Sequence, residues 1–401
     1  MSPEARVLQM ERTLYENIAG FWHPRCLDRQ HGGYLIHFGE RGEPSGKTAK
    51  GLVSQTRMLW LFSRLARFGY RPPEMLEAAE LGYRFLIERM CDRVYGGLYW
   101  EMDSAGSRVL EPQKHLYGQA FALFALSEYY LASGRKEVRD DAVQLFELLE
   151  ARAHDPQYGG YRESFDQRWT LHPPGERCVL GDTGLKLMNT HLHLLEALTA
   201  FWCVSRLSLV RERLLELITI QSRRVVRQPL CACSDKHRPD WTPILDGRNS
   251  RVSHGHNLEN VSLLIEANEA ADLYRGLFAY SMKYGWDQRD GGFYESGAFN
   301  RPADRREKIW WVQAEGLLAA LKMYRLTREP QYLAVFERTW DFLNRCQIDW
   351  EHGEWHARVG PRGPRRESKG HLWKEGYHNG RALIECLEIL HDLGPHVRNS
   401  P

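Results

Sequence analysis

The 401-residue chain is 43% hydrophobic and 26% charged, a balance that fills a large core and covers it. A formal net charge of +2 with only short basic clusters (Arg223-Arg224, Arg305-Arg306), and no apolar run near the roughly 18 residues of a membrane span, argue against nucleic acid and membrane as partners. The N-terminal segment lacks the apolar stretch of a signal peptide, and the eight scattered cysteines suit reduced thiols, so a cytoplasmic protein is expected.

The first predicted element is an amphipathic helix over 3–22. Behind it comes Asp28-x-x-x-Gly32 with a second glycine and alternating residues (GGYLIHF), a tight turn of positive φ leading into a short strand. A second helical segment begins near Ser54. The order then recurs: an amphipathic segment near 75–91, Asp92/Gly96 and a helix from near Lys114; 137–153, Asp155/Gly159 and a helix from near Leu185. It continues with 208–226 and a helix from near His256; 268–285, Asp287/Gly291 and a helix from near Lys308; 331–347, Asp349/Gly353 and a helix from near Trp373.

Successive Asp residues of the turn lie 64, 63, 132 and 62 apart. The doubled interval predicts a diverged copy near residue 221 or somewhat later, where the chain enters the irregular stretch QPLCACSDKHRPDWTPILDGRNS. The first helix of each unit has a charged outer face. The second, as in KHLYGQAFALFALSEYYLASG, is apolar round most of its circumference and therefore buried on most sides. Six exposed and six buried helices in alternation predict an all-α, single-domain (α/α)6 barrel over 1–401, with short β-hairpins at one end.

In such a barrel the inner helices all start at the same end, so a functional cluster is expected at their starts. These read SQTRMLW, KHLYGQAF, KLMNTHLHLLEA, HGHNLENVSLLIEA, KIWWVQAEGL and WKEGYHNGRALIE, with polar and aromatic residues at one level in unit after unit. Burying so many polar groups without purpose is costly. Asn189 and His193 share a helix face, with Glu196 close to it, whereas His191 lies about 200° round from His193 and does not converge with it. His256 and Glu259 are three apart, so the carboxylate is expected to orient the imidazole; His254 is expected to precede the helix. Trp311 and Glu315 share a face, and Trp373 and His378 flank a Gly-containing turn.

The two His-x-His pairs splay their ligands apart within a helix, so no metal site is expected, and neither a nucleophile elbow nor a phosphate-binding glycine loop is present. Several histidines, one arginine and sugar-stacking aromatics suit proton transfer at carbon. Imidazole is a suitable base for the C2 proton of an open-chain aldose, and the resulting cis-enediolate needs a cation or donors aimed at its oxygen. Inversion requires protonation from the other side, by a second acid/base or after rotation about C2–C3.

KLMNTHLHLLEALT, HGHNLENVSLLIEA, KIWWVQAE and WKEGYHNGR, in this order and spacing, resemble the cellobiose 2-epimerases of the N-acylglucosamine 2-epimerase superfamily. The resemblance runs through most of the chain. It implies epimerisation of gluco- and manno-configured reducing ends of β-1,4-linked disaccharides, without organic cofactor. It assigns His378 and His256 as paired acid/base residues, and His193 and Arg57 as the groups that polarise O1 and the enediolate. Asn189 would hydrogen-bond the sugar, Tyr117 position hydroxyls, Glu259 orient His256, and Trp311 and Trp373 stack on the rings, with Glu315 beside them. The chain departs from the family pattern at His254–Glu259 (often YGHDIE), Val312 (WWPQAE) and Glu375-Gly376 (WKCPYHN), all beside the sugar site, which leaves a mannose/glucose 2-epimerase or aldose–ketose isomerase as an alternative. An inverting hydrolase using Glu259 and Glu315, or a lectin, are the alternatives of other classes. The only partner expected is the sugar, with the protein a monomer or weak homo-oligomer.

Overall fold

The computed structural model describes residues 2–228, 230–267 and 271–394. Helix α1 runs from Pro3–Arg12 through a π-helical stretch, Thr13–Ala19, to a last turn at Gly20–Trp22. The helices that follow are α2 (Leu52–Arg67), α3 (Pro72–Phe85), α4 (Leu116–Ser133), α5 (Lys136–Arg152) and α6 (Met188–Ser205). Then come α7 (Ser208–Ile220), α8 (His254–Ala267), α9 (Ala271–Gly285), α10 (Trp310–Thr327), α11 (Pro330–Phe342) and α12 (Tyr377–Leu393). The expected start of the fifth outer helix, 268–270, lies outside the described residues, as do residue 1 and residues 395–401.

The even-numbered helices form the inner ring. Each packs on the next, α2 on α4 through to α10 on α12, and α12 packs back on α2, so the ring closes. The odd-numbered helices lie outside, with α1 against α12. This is an (α/α)6 barrel. Inner helices are buried on nearly every side, as their all-round apolar sequences predict. No helix among the described residues is long and apolar enough to cross a membrane.

Each Asp-x-x-x-Gly segment is a tight turn closed by a single backbone bridge: Leu27–Tyr34, Cys91–Leu98, His154–Tyr161, Trp286–Phe293 and Ile348–Trp355. Both glycines of a turn hold positive φ, as at Gly32 (82°) and Gly33 (70°); in the last copy the second place is taken by Glu354, at 59°. The diverged copy is a hairpin of Val226–Arg227 with Ala232–Cys233, within the predicted interval. The strands behind the turns reach beyond local hairpins, although Glu101–Met102 and Arg358–Gly360 also form one each, with Val109–Glu111 and Gly363–Pro364. At two or three residues they are too short to stand alone, and they pair with the strand that precedes the previous unit's inner helix. Thus Glu101–Met102 joins Lys50–Gly51, Ser164–Phe165 joins Lys114–His115, and Arg358–Gly360 joins Lys308–Ile309. A bridge between Phe38 and Gly370 ties the first unit to the last.

One feature of each turn was not anticipated. The Asp carboxylate accepts from backbone N–H groups of its own turn and forms an ion pair with a buried lysine just ahead of the inner helix: Asp28–Lys50 (2.7 Å), Asp92–Lys114 (3.1 Å), Asp155–Lys186 (2.8 Å), Asp287–Lys308 (2.8 Å) and Asp349–Lys369 (2.7 Å). Five residues after four of these lysines, a side chain on the inner helix clamps the backbone behind the turn. Gln55, Gln119 and Gln313 each exchange two hydrogen bonds with it, and His191 Nε2 accepts from Tyr161 N–H at 3.0 Å. His191 is thus a structural histidine in a glutamine's place. In the diverged unit Val252 stands where the lysine would be, and the Asp–Lys lock is missing; Asn257 still accepts from Cys233 N–H.

Candidate active site

Five of the six inner helices start at a common mouth because their first N–H groups, which have no intrahelical acceptor, are taken by carbonyls beside the neighbouring unit's strand. Leu52 donates to Trp100, Leu116 to Glu163, Met188 to Asp235, His254 to Glu295 and Trp310 to Ala357. Helix α8 therefore begins at His254, two residues earlier than expected, and His254 is a buried member of its first turn. The last inner helix begins at Tyr377, so Trp373 lies in the preceding loop.

At the mouth is a cavity of about 270 Å3. Arg57 of α2, Tyr117 of α4, Asn189 and His193 of α6, and His256 and Glu259 of α8 line it. Trp311 of α10, His378 of α12 and Trp373 complete the set of lining residues singled out above. Leu180 and Trp310 also line it and were not singled out; the Trp-Trp dipeptide was the available signal for the second. Glu315 does not reach the cavity. It sits one turn below Trp311, fully buried, where Oε1 is 2.8 Å from His378 Nδ1 and both oxygens accept from Arg381 Nη2 at 2.7 Å.

The three lining histidines are held differently. His193 Nδ1 lies 2.9 Å from Glu196 Oε2, and Glu196 Oε1 accepts from the Tyr377 hydroxyl. His378 is fixed by Glu315 as described. With Nδ1 of both donating to carboxylates, Nε2 is left as the free lone pair. The His256 ring packs on the Trp311 indole with centroids 5.0 Å apart, and His378 packs on the same indole at 5.7 Å. No hydrogen bond joins His256 to Glu259, contrary to expectation. Side chains tilt toward the helix N-terminus, so His256 leans out to the mouth while Glu259, a turn deeper, turns to the axis. There Glu259 Oε1 is 3.6 Å from His193 Nε2 and 4.0 Å from Arg381 Nη2.

Burial makes these imidazoles weakly basic. It takes His256 down to about 4, and holds His193 below its ordinary value despite Glu196. Burial together with Arg57 and Arg381 holds His378 well below. All three are neutral at neutral pH and able to accept a proton. Burial drives the Glu259 and Glu315 carboxyls upward, and Arg381, on both oxygens of Glu315, opposes it there. Ligand atoms of Glu259, Glu315 and His378 lie within 4.8 Å of one another, close enough to hold an ion, but both Glu315 oxygens and His378 Nδ1 are already engaged. The standing positive charge at the cavity is Arg57, whose Nη2 donates to the Tyr117 hydroxyl at 3.0 Å.

Residues 32–382 match the family model described as N-acylglucosamine 2-epimerase. A cellobiose 2-epimerase of Dictyoglomus turgidum is 32% identical over 405 residues, covering 96% of this chain and 99% of that protein. Among solved structures, a cellobiose 2-epimerase from Spirochaeta thermophila DSM 6192 superposes with a TM-score of 0.87 at 32% identity, covering 98% of each chain. One from Bacillus thermoamylovorans B4167 gives 0.87 at 29%, covering 96% of this chain and 99% of that one.

Proposed function

The chain belongs to the N-acylglucosamine 2-epimerase family, and on that footing we propose that it inverts C2 at the reducing end of β-1,4-linked disaccharides, converting cellobiose to glucosylmannose and lactose to epilactose. One observation carries the reading: three neutral histidines face one sugar-sized cavity beside a permanently charged arginine. In the reaction one imidazole takes the C2 proton of the opened sugar, its electron pair forms the C1–C2 double bond, and charge gathers on O1. Arg57 stabilises that charge, and His193 adds to it only when its Nε2 has taken up a proton. Return of a proton to the opposite face of C2 completes the inversion, with His378 and His256 as the exchanging pair. Asn189 and Tyr117 hold hydroxyls, and Glu259, in its protonated form, donates to the sugar or to His193. No metal and no organic cofactor enters this scheme.

The disaccharide preference is supported by the space beside the cavity. Through His256, Trp310 and Trp311 it adjoins a groove of about 480 Å3, which also takes in Cys233, Asp235 and Arg251 of the unlocked unit. A mannose/glucose 2-epimerase needs no such groove. The hydrolase reading is disfavoured because an inverting pair stands about 6.5–9.5 Å apart across the scissile bond, whereas Glu259 and Glu315 approach within 4.8 Å and Glu315 is sealed from the cavity. We further infer one catalytic domain in the cytoplasm, alone or as a weak homo-oligomer and without nucleic acid; the main core cluster runs from Met10 to Leu393, and the cysteines are free thiols.

Proton NMR with cellobiose, lactose, glucose and mannose in D2O tests the reading. A manno-configured product carrying solvent deuterium at C2 is expected, faster from the disaccharides. Free glucose from cellobiose, or no C2 deuterium from any sugar, would overturn it. Trp373 is 39% exposed at the rim, 6.0 Å from the Tyr117 ring and 6.3 Å from Trp100, so it is placed to stack on the distal sugar. Replacing it with alanine is expected to raise KM for cellobiose about tenfold, the effect of one lost ring stack, and KM for glucose far less. Equal losses for both sugars would remove Trp373 from the distal subsite.

A further inference from the structure

Beneath the cavity wall, Arg57 has a partner that the reaction scheme leaves unused. Its Nη1 lies 3.1 Å from Glu375 Oε1, while Nη2 donates to Tyr117, and the guanidinium stacks over Phe121 (4.2 Å) and Tyr377 (4.8 Å). Glu375 is 1% exposed, and its other oxygen, Oε2, is buried without a partner. The following Gly376 lets the loop press against the ring seam: a Cβ there would fall 2.5 Å from Leu61 Cδ2 and 3.0 Å from Trp22. The Glu-Gly pair is therefore one device, in which the glycine brings the chain in and the glutamate meets the arginine.

We propose that Glu375 is a positioning residue for Arg57: it anchors the guanidinium against Tyr117 and, by gaining or losing its own proton, sets how much of that positive charge reaches the sugar's O1. The groups around it leave Arg57 as its counter-ion. Lys374, next in the chain, is committed to Glu354 at 2.6 Å; Glu354 itself repels an ionised Glu375; and Tyr117 offers only a neutral hydroxyl. Burial pushes the Glu375 carboxyl up to about 7 against the opposing pull of Arg57 and Lys374. Below that pH the neutral acid still holds Arg57 by a hydrogen bond and leaves its charge undiminished. Above it, the carboxylate offsets the charge, and the enediolate loses stabilisation. The lining histidines all lie below their ordinary range and titrate on the acid side; the Glu259 carboxyl is also raised, so the part of an alkaline fall that E375Q removes is Glu375's signature.

This rests on the epimerase reading, and its test is arranged to fail separately. With cellobiose, kcat of the wild type is expected to fall roughly fivefold as pH rises from about 6 to 9, with KM little changed, while E375Q, locked in the neutral form, shows no such fall. E375A, which frees the guanidinium, is expected to lose about tenfold in kcat at every pH. In 13C-glutamate-labelled protein, a carboxyl resonance that titrates near neutral pH is expected in the wild type and missing from E375Q, a readout that needs neither substrate nor the alanine variant to fold. The same alkaline fall in E375Q as in the wild type, a flat wild-type profile, or no such resonance overturns the proposal. Absence of C2 exchange at any pH sinks the epimerase reading instead, with the resonance unaffected.

Discussion

Replacing His378 with alanine is expected to lower kcat for cellobiose by about 10²–10⁴-fold, the usual contribution of a positioned acid/base, and replacing His256 to do the same. The two losses should differ in kind. In D2O, an enzyme left with one base still removes and returns the proton on its own face of C2, so it exchanges that hydrogen without inverting the carbon. Each variant is therefore expected to exchange C2 hydrogen of only one of the two epimers, cellobiose or glucosylmannose, and the two variants to choose opposite epimers. That outcome assigns a face to each histidine. Near wild-type turnover in either variant would falsify the two-histidine scheme. The Glu315→Gln variant should lie between: it keeps a partner for His378 but leaves Arg381 without the carboxylate that both its 2.7 Å contacts use. Because Glu315 acts through His378, its loss should fall on kcat more than on KM.

The second large effect concerns stability. Asp155→Asn is expected to destabilise the fold by about 3 kcal/mol at pH 7, because breaking a buried ion pair strands the remaining charge. Lys186, 2% exposed, must then stay charged without a counter-ion or give up its proton. Burial opposes ionisation of Asp155, yet Lys186 and the Gln157 N–H outweigh it and hold the carboxyl below its ordinary value of 3.8. A lowered folded-state value stabilises above the unfolded value and ceases to do so as pH falls through the folded one. The gap between wild type and variant, measured from urea midpoints, should therefore be full above about pH 5 and close as pH falls below 3.8. A gap that persists there unchanged would mean that the lost stability is not that of the ion pair.

Much of this was legible in the sequence, and what was missed has identifiable causes. The Asp-x-x-x-Gly spacing located the turns, the diverged copy and the number of units, because a two-glycine turn of positive φ leaves a mark no other local structure shares. Inner-helix starts were placed within a few residues. They slipped at His254, where a strand carbonyl and not a capping side chain decides the first turn, and at Tyr377, which follows Gly376. The lysine five residues before Gln55, Gln119, His191 and Gln313 is equally periodic and was not seen, since a lysine in an amphipathic region suggests solvent rather than a buried partner. Asn189 and His193 were found on one face as their spacing required. Glu259 was given the wrong neighbour because helix spacing fixes a face, while the third dimension, here Arg381 and His193 from other helices, decides the contact.

The one unit without its Asp–Lys lock is also the unit whose segment, from Cys233 through Asp235 to Arg251, walls the groove beside the cavity. Work is thereby divided around the ring. Five locked turns carry the fold, and the sixth is released from that duty, so substitutions at its half-buried groove-lining residues Asp235, Asn249 and Arg251 trade little stability for a change in what the groove admits. A library confined to Asp235, Asn249 and Arg251 is accordingly the place to retune which sugar chain is accepted, leaving the ring and its histidines as the invariant chassis.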